Sequence, residues 1–304
     1  KMQDHFGPLG PAMSINCMAV GLPALAAVVE GTGRRTEILH LGVQKLAEPG
    51  FDLGTEVQRQ QPVLAGLSLH WHPQTWDTIA AARAIKAAHP ATTVVLGGMT
   101  ASVFHDQILA EHPCIDAVIK GDGEEPLRAL AEALDDGSPL SSVPNLSWRE
   151  GETIRSNAIG YVADAATLST LVYERFDLLR HHQTYIRHFS GVHYQPLGRP
   201  QARMMQLAQR IFGGAGRYMV MPAGRGCSVN CAWCGGGFGA HRRYAERPHY
   251  SMLPAGRLAA LMARALELGF NGVHACFDPT PGDPRVWVEA FERLQRSRVR
   301  CGLL

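Results

Sequence analysis

The chain has 304 residues, 46% of them hydrophobic and 18% charged, which is ample apolar material for two globular units and excludes a disordered chain. Its 29 basic and 27 acidic residues are mixed along the sequence for a net charge of +2, so no electrostatic footprint points to nucleic acid or to an anionic membrane. The longest apolar stretch, Cys17 to Val29, is broken by Gly21 and Pro23 and is too short to cross a bilayer, and Lys1 to Gly10 lacks the form of a signal peptide.

From Gly21 to about Asp136, β-rich runs alternate with helical patterns, the signature of a parallel sheet wrapped by helices. Leu22, Leu25, Ala26 and Val29 share one helix face ahead of Gly31. Strands are expected at Thr36 to Leu41, Val63 to Leu69, Thr93 to Leu96 and Ala117 to Ile119, with a helix from Thr75 to His89 between the second and third. Pro126 opens another helix, with Leu127, Leu130, Ala131 and Leu134 on one face before Gly137. Lys1 to Phe6 offers little apolar sequence for a first strand, which suggests a clipped amino terminus.

Asn145 to Ala163 is expected to form a hairpin around Glu150 and Gly151, and Leu168 to Gly216 a polar and helical connector. Beyond it, Tyr218 to Met221 reads as a strand, and Leu258, Leu261, Met262 and Ala265 mark a helix ended by Gly269. Gly272 to Phe277 follows as a strand, Val286 to Gln295 as a helix and Val299 to Leu304 as the start of a third strand. The fold class is therefore α/β, and three segments are expected: a Rossmann-like unit at 1–142, a connector at 143–216, and at 217–304 the beginning of a β/α barrel whose remainder is absent from this chain.

Three of the seven cysteines fall within eight residues, in Gly226-Cys227-Ser228-Val229-Asn230-Cys231-Ala232-Trp233-Cys234-Gly235-Gly236-Gly237. Local clustering without a secretion signal reads as metal ligation in a reducing cytoplasm, not as a disulfide scaffold. Three thiolates can hold three irons of a [4Fe-4S] cluster and leave the fourth open to a substrate. The alternatives are structural zinc completed by His241 or His249, and an electron-transfer cluster with Cys276 or Cys301 as fourth ligand; no second pair of closely spaced ligands supports zinc.

This Cys-x3-Cys-x2-Cys spacing, with Trp233 before the last cysteine, resembles the radical S-adenosylmethionine superfamily. The resemblance implies that Cys227, Cys231 and Cys234 hold the cluster, that Trp233, Gly235 and Gly236 lie close to the cofactor, and that one electron cleaves S-adenosylmethionine to a 5'-deoxyadenosyl radical. A reductase, flavodoxin or ferredoxin would supply the electron. Downstream, Asp278 sits where B12-dependent members carry an acidic turn, so it is a candidate for the cofactor pocket or a helix cap.

The first unit resembles the cobalamin-binding family in four ordered landmarks. Asn16-x-Met18-x-x-Gly21 stands where that family has Asp-x-His-x-x-Gly, and Ser68 ends an apolar strand. Gly97-Gly98 then closes the next strand, and Gly121-Asp122-Gly123-Glu124 precedes a helix. Glycines at strand ends let backbone approach a flat ligand. Met18 in place of the histidine implies a cobalt without a protein nitrogen on its lower face, and His70 could reach the corrin or belong to a polar loop. A dinucleotide-binding unit is disfavoured because no Gly-x-Gly-x-x-Gly follows the first strand, and a response regulator because no phospho-acceptor aspartate stands at a strand end.

Together the halves resemble cobalamin-dependent radical S-adenosylmethionine enzymes. That resemblance implies methyl transfer from methylcobalamin to an unactivated carbon of a small molecule, such as a biosynthetic intermediate. The alternatives are a cyclase or ring-rearranging oxidase using the same cofactors, and a non-catalytic corrinoid carrier or sensor. No residue can be named as a catalytic acid or base.

Overall fold

The computed structural model describes residues 18–188, 217–232, 234–274, 283–297 and 302–303. Helix α1 (Leu22–Glu30) begins with Pro23 in its first turn, where a missing N–H costs nothing. Two short helices follow, α2 (Leu41–Ala47) and α3 (Leu53–Gln60), each opened by a side-chain cap: His40 Nδ1 accepts from Val43 N, and Asp52 from Thr55 N.

The first sheet has the order β1-β2-β3-β4-β5. Strands β1 (Leu64–Ser68), β2 (Thr93–Gly97) and β3 (Ala117–Ile119) are parallel, separated by α4 (Thr75–Ala88) and by the pair α5 (Met99–Val103) and α6 (His105–Glu111). Helix α7 (Glu124–Asp136) follows β3 and stops at Gly137, which adopts the left-handed conformation. Strands β4 (Leu146–Glu150) and β5 (Thr153–Ser156) form the expected hairpin, and β4 adds antiparallel to β3. The hairpin thus extends the first sheet.

The expected strand at Thr36 to Leu41 does not form. Ile38 makes only an isolated bridge to Leu179, its N–H donating to Leu178 O at 2.8 Å and its carbonyl accepting from Arg180 N at 3.1 Å. A polar flank of Arg34, Arg35, Thr36 and Glu37 leaves Ile38 as the single buried side chain in that run, too little for a sheet position. Helices α2, α3, α5 and α6 were not anticipated, because each is shorter than the window over which a helical period declares itself.

Period-two alternation sorts the first sheet into two faces. Leu69, Val94, Leu96 and Val118 pack with Val57, Ile79, Ala82, Ile85, Ile108 and Leu109 on one side. Val95, Ala117, Ile119, Leu146 and Trp148 pack with Leu130 and Ala133 of α7 on the other.

Helices α8 (Ala165–Thr170) and α9 (His182–His188) lead to a second parallel sheet, in the order β10-β9-β6. It contains β6 (Tyr218–Val220), β9 (Gly272–His274) and β10 (Gly302–Leu303), joined by α11 (Ala255–Glu267) and α12 (Pro284–Arg296), so the strand-helix repeat expected from 218 onward is present. Between β6 and α11 lie a two-stranded ribbon, β7 (Gly224–Arg225) with β8 (Ser251–Met252), and helix α10 (Phe238–Tyr244). One core joins Leu258, Leu261, Met262 and Ala265 of α11 to Met219, Met221 and Val273, and also to Met18, Ala24, Ala26, Leu168, Phe176 and Tyr185. Residues near the amino end of the described chain therefore share a core with the second sheet. No helix among the described residues is long and apolar enough to cross a membrane.

Candidate cofactor site between the two sheets

The carboxyl ends of β1, β2 and β3 lie side by side, as the parallel register dictates: Ser68 pairs with Gly97, and Gly97 with Ile119, next to Gly121. This brings Ser68, His70, Gly97, Gly98 and Gly121 to one edge. Gly98 has φ +112°, and a Cβ there would come within 2.8 Å of the Leu69 carbonyl, so only glycine lets the two strand ends approach. Leu69 N–H donates to Gly97 O at 2.8 Å, and Thr100 Oγ1 to His70 O at 2.9 Å. Ser102, which no motif flagged, is buried and ties the next pair of strand ends: its hydroxyl donates to Gly98 O and accepts from Gly121 N, both at 2.9 Å.

Beside this edge the sheet is bare. Gly66, Ser68 and Gly97 share the face that carries α7, and a Cβ added to either glycine would meet no atom within 4 Å. The two strands therefore offer exposed backbone and one hydroxyl to a flat or slender ligand, a cradle that larger side chains would fill. The donor set and the open space fit a corrinoid whose tail lies along the sheet. His70 is solvent-accessible at this edge, and desolvation by its crowded surroundings lowers its imidazole pKa from the ordinary value.

Met18 is elsewhere. Its side chain is buried, lining an apolar cavity with Tyr173, Phe176, Tyr185 and Met219, while its N–H donates to the Tyr185 hydroxyl at 3.1 Å. A thioether among apolar and aromatic groups is held by packing.

The cysteine loop follows β7 directly. Cys227 is half-buried, Cys231 and Cys234 are exposed, and all three are free thiols. The loop is shaped by its own backbone: Val229 N–H points at Cys227 Sγ at 3.4 Å, Cys234 N donates to Cys231 O at 3.1 Å, and Phe238 N donates to Val229 O at 3.0 Å. Asn230, unflagged in the sequence, accepts from Gly239 N at 3.0 Å and so anchors the loop to the start of α10. A Cβ on Gly236 would lie 4.0 Å from Cys234 Sγ, and one on Gly235 would meet nothing within 4 Å, so the backbone beside the last thiol is open. Among the described residues no three His, Cys, Asp or Glu side chains converge on a metal-sized point, the three thiols included. Two exposed thiols and one half-buried thiol on one loop, with an amide N–H aimed at the half-buried sulfur, suit a cluster that is inserted from outside. Trp233 and Asp278 lie outside the described residues.

The helix that follows the loop is in contact with the first unit. Helix α10 packs on α5, and a Cβ on Gly121 would come within 3.3 Å of Ala245 at its end. His241 of α10 is half-buried; burial, then the nearby Arg247 charge, lowers its imidazole pKa. The acidic turn expected to touch cofactor is engaged by arginines. Asp122 accepts from Arg247 Nη2, from Ala163 N at 2.8 Å and, at 3.1 Å, pairs with Arg225; Glu124 takes both Arg225 terminal nitrogens, one at 2.9 Å. Burial opposes the charge on Arg225, but Glu124 and Asp122 outweigh it and hold the guanidinium well above its ordinary pKa. Gly21 sits against the same arginine, and Gly123 against Leu25 of α1.

Residues 16–131 match the family described as the B12 binding domain. The chain is 28% identical over 105 residues to an uncharacterized methyltransferase of Pyrococcus horikoshii, a match covering 34% of this chain and 23% of that one. It is 38% identical over 52 residues to the anaerobic magnesium-protoporphyrin IX monomethyl ester cyclase of Rubrivivax gelatinosus, covering 17% and 9%. Among solved structures it resembles the radical S-adenosylmethionine methyltransferase TsrM of Kitasatospora setae, bound to tryptophan and a S-adenosylmethionine analogue, with TM-score 0.63 at 17% identity over 95% of this chain and 50% of that one. The cobalamin-dependent radical enzyme OxsB, bound to aqua-cobalamin and S-adenosylmethionine, gives TM-score 0.58 at 13% identity over 94% and 36%. The chain thus spans less than a quarter of the curated relatives it matches and half or less of these structures. Residues 16–131 match the B12 binding domain family, and the chain shares its fold with solved structures of cobalamin-dependent radical S-adenosylmethionine enzymes.

Proposed function

We propose that the chain is the cofactor-bearing part of a cobalamin-dependent radical S-adenosylmethionine methyltransferase acting on an unactivated carbon of a small molecule. The observation that carries this is the packing of helix α10, which directly follows a three-thiol loop, against the carboxyl edge of a sheet that matches the B12 binding domain family. When bound, cluster and S-adenosylmethionine supply a carbon radical, and methylcobalamin supplies the methyl group. Cys227, Cys231 and Cys234 hold the cluster; Gly235 and Gly236 leave room beside it; Gly66, Ser68 and Gly97 receive the corrinoid. A flavodoxin or ferredoxin delivers the electron. Because β4 and β5 extend the first sheet, this reading carries the corrinoid-binding unit as far as Ser156.

The test is to reconstitute the chain without oxygen, with iron, sulfide and cobalamin, reduce it with a low-potential donor such as reduced flavodoxin, and supply S-adenosylmethionine carrying a deuterated methyl group. The expected result is 5'-deoxyadenosine together with a deuterated methyl on cobalt. A protein that forms neither is not this enzyme. The match to the magnesium-protoporphyrin ester cyclase favours a second reading, cyclisation with the same cofactors; there 5'-deoxyadenosine forms and the product mass shows no added methyl.

A further inference from the structure

The first sheet and the β7–β8 ribbon are joined by four charged side chains, two of each sign, that are largely removed from water: Arg247 is 3% exposed, Glu124 4%, Asp122 10% and Arg225 20%. Resting on the cofactor assignment above, we propose that Arg225 and Arg247 are positioning residues: docked on Asp122 and Glu124, they hold the entry to the thiol loop in one orientation against the corrinoid-binding edge.

The covalent lever is short. Only Gly226 separates Arg225 from Cys227, so the ion pairs of Arg225 anchor the chain two residues before the first thiol. The backbone there has little freedom. Gly226 has φ +89°, and a Cβ on it would sit 2.9 Å from Arg247 Cδ; a Cβ on Gly224 would sit 2.1 Å from Ser251 O. The Gly-Arg-Gly segment is thus wedged between β8 and Arg247, with Arg225 as its one side chain, turned to the first sheet. Arg247 closes the arrangement, donating to Ala163 O at 2.9 Å and to Ser251 Oγ at 3.2 Å as well as to Asp122.

The receiving side is equally fixed. Asn145, fully buried, donates to Lys120 O at 3.0 Å, Asp122 O at 3.1 Å and Tyr161 O at 2.9 Å, and accepts from Gly160 N and Tyr161 N, both at 3.0 Å. Buried ion pairs return little net stability over an apolar contact of the same shape, whereas forked arginine-carboxylate pairs fix direction strongly. Orientation is what this set provides. It also explains the acidic turn after β3: its carboxylates face arginine.

The experiment uses the 304-residue chain and the variants Asp122→Asn, Glu124→Gln, Arg225→Lys and Arg247→Lys. Hydrogen exchange on the cofactor-free proteins reads the loop directly. Amides from Gly224 to Cys234 are expected to exchange about tenfold faster in the variants, with those of β1 to β3 unchanged, as for a local opening. In the reconstituted proteins, iron and cobalt per chain should match wild type, while the effect of the reduced cluster on the magnetic relaxation of cob(II)alamin changes. Unchanged loop exchange and relaxation in all four variants would overturn the proposal, as would faster exchange spread over the whole chain, which marks a purely structural role. If Asn or Gln leaves the chain unfolded, the Lys variants, which keep the charge and lose the fork, decide by the same readouts. A wild-type chain that takes up no corrinoid or cluster defeats the cofactor assignment, and the proposal with it; normal cofactor loading with unaltered exchange defeats the positioning role alone.

Discussion

Gly98 stands so close to Leu69 that a side chain there would press into the Leu69 carbonyl, whereas its neighbour Gly97 faces open space. The two glycines of one motif therefore do different work. Gly98→Ala should cost about 2–4 kcal/mol, from the left-handed backbone and the collision together, read as a fall in the urea midpoint. Gly97→Val should leave that midpoint nearly unchanged and reduce cobalamin uptake at least about tenfold, since the added bulk occupies the cradle. Equal effects on folding at both positions would contradict the assignment.

Asn145 illustrates a polar residue whose value lies in leaving nothing unpaired. Asn145→Ala strips partners from three carbonyls and two amides at a buried site, and about 3–5 kcal/mol of stability should go with it. Asn145→Asp should be at least as damaging, because a carboxylate faces three carbonyl oxygens where an amide donated. Thermal unfolding followed by circular dichroism checks both; an Asp variant as stable as wild type would rule this reading out.

Arg180 couples the connector to α3. It donates to Glu37 at 2.8 and 2.6 Å and to Glu56 at 2.6 Å. Hydrogen bonds from Arg59 and then Arg180 hold the Glu56 carboxyl far below its usual value of 4.5; burial works against Glu37, yet Arg180 and Gln60 still bring it below 4.5. Groups lowered on folding stabilise the fold above about pH 4.5, and that contribution is lost as pH falls through the folded values. Glu56→Gln should therefore be less stable than wild type at pH 7, with the difference shrinking steadily below pH 4.5. A gap that widens on acidification would mean the sign is wrong.

The repeating strand-helix order and the thiol loop were legible because each rests on local sequence: β1 to β3 alternate or run apolar, α11 keeps a 3.6-residue period, and three cysteines within eight residues have few other uses. What was not legible depends on partners far along the chain. Ile38 bridges Leu179 instead of entering the sheet, and Met18 packs with Met219 and Tyr185 across some 170–200 residues. Arg225 and Arg247 carry no motif of their own; only the fold shows that they meet Asp122 and Glu124. Ser102 and Asn230 were missed for the same reason, since each acts by bridging backbone groups that sequence spacing does not bring together.

The thiol loop itself makes a separable prediction. Replacing Cys227, Cys231 or Cys234 singly with Ala should abolish cluster binding and leave cobalamin uptake intact, because the corrinoid cradle lies on the first sheet and none of the three side chains contributes to either apolar core there. Loss of cobalt along with iron would show that the two sites are not independent.

Metal content tests the pairing of cluster and corrinoid most directly. Protein handled without oxygen and reconstituted with iron, sulfide and cobalamin should carry about four irons, about four sulfides and about one cobalt per chain, with the cluster's visible absorption absent from a triple Cys→Ala variant. Zinc retained by the three thiols, or a chain that takes up no cobalt, would contradict it.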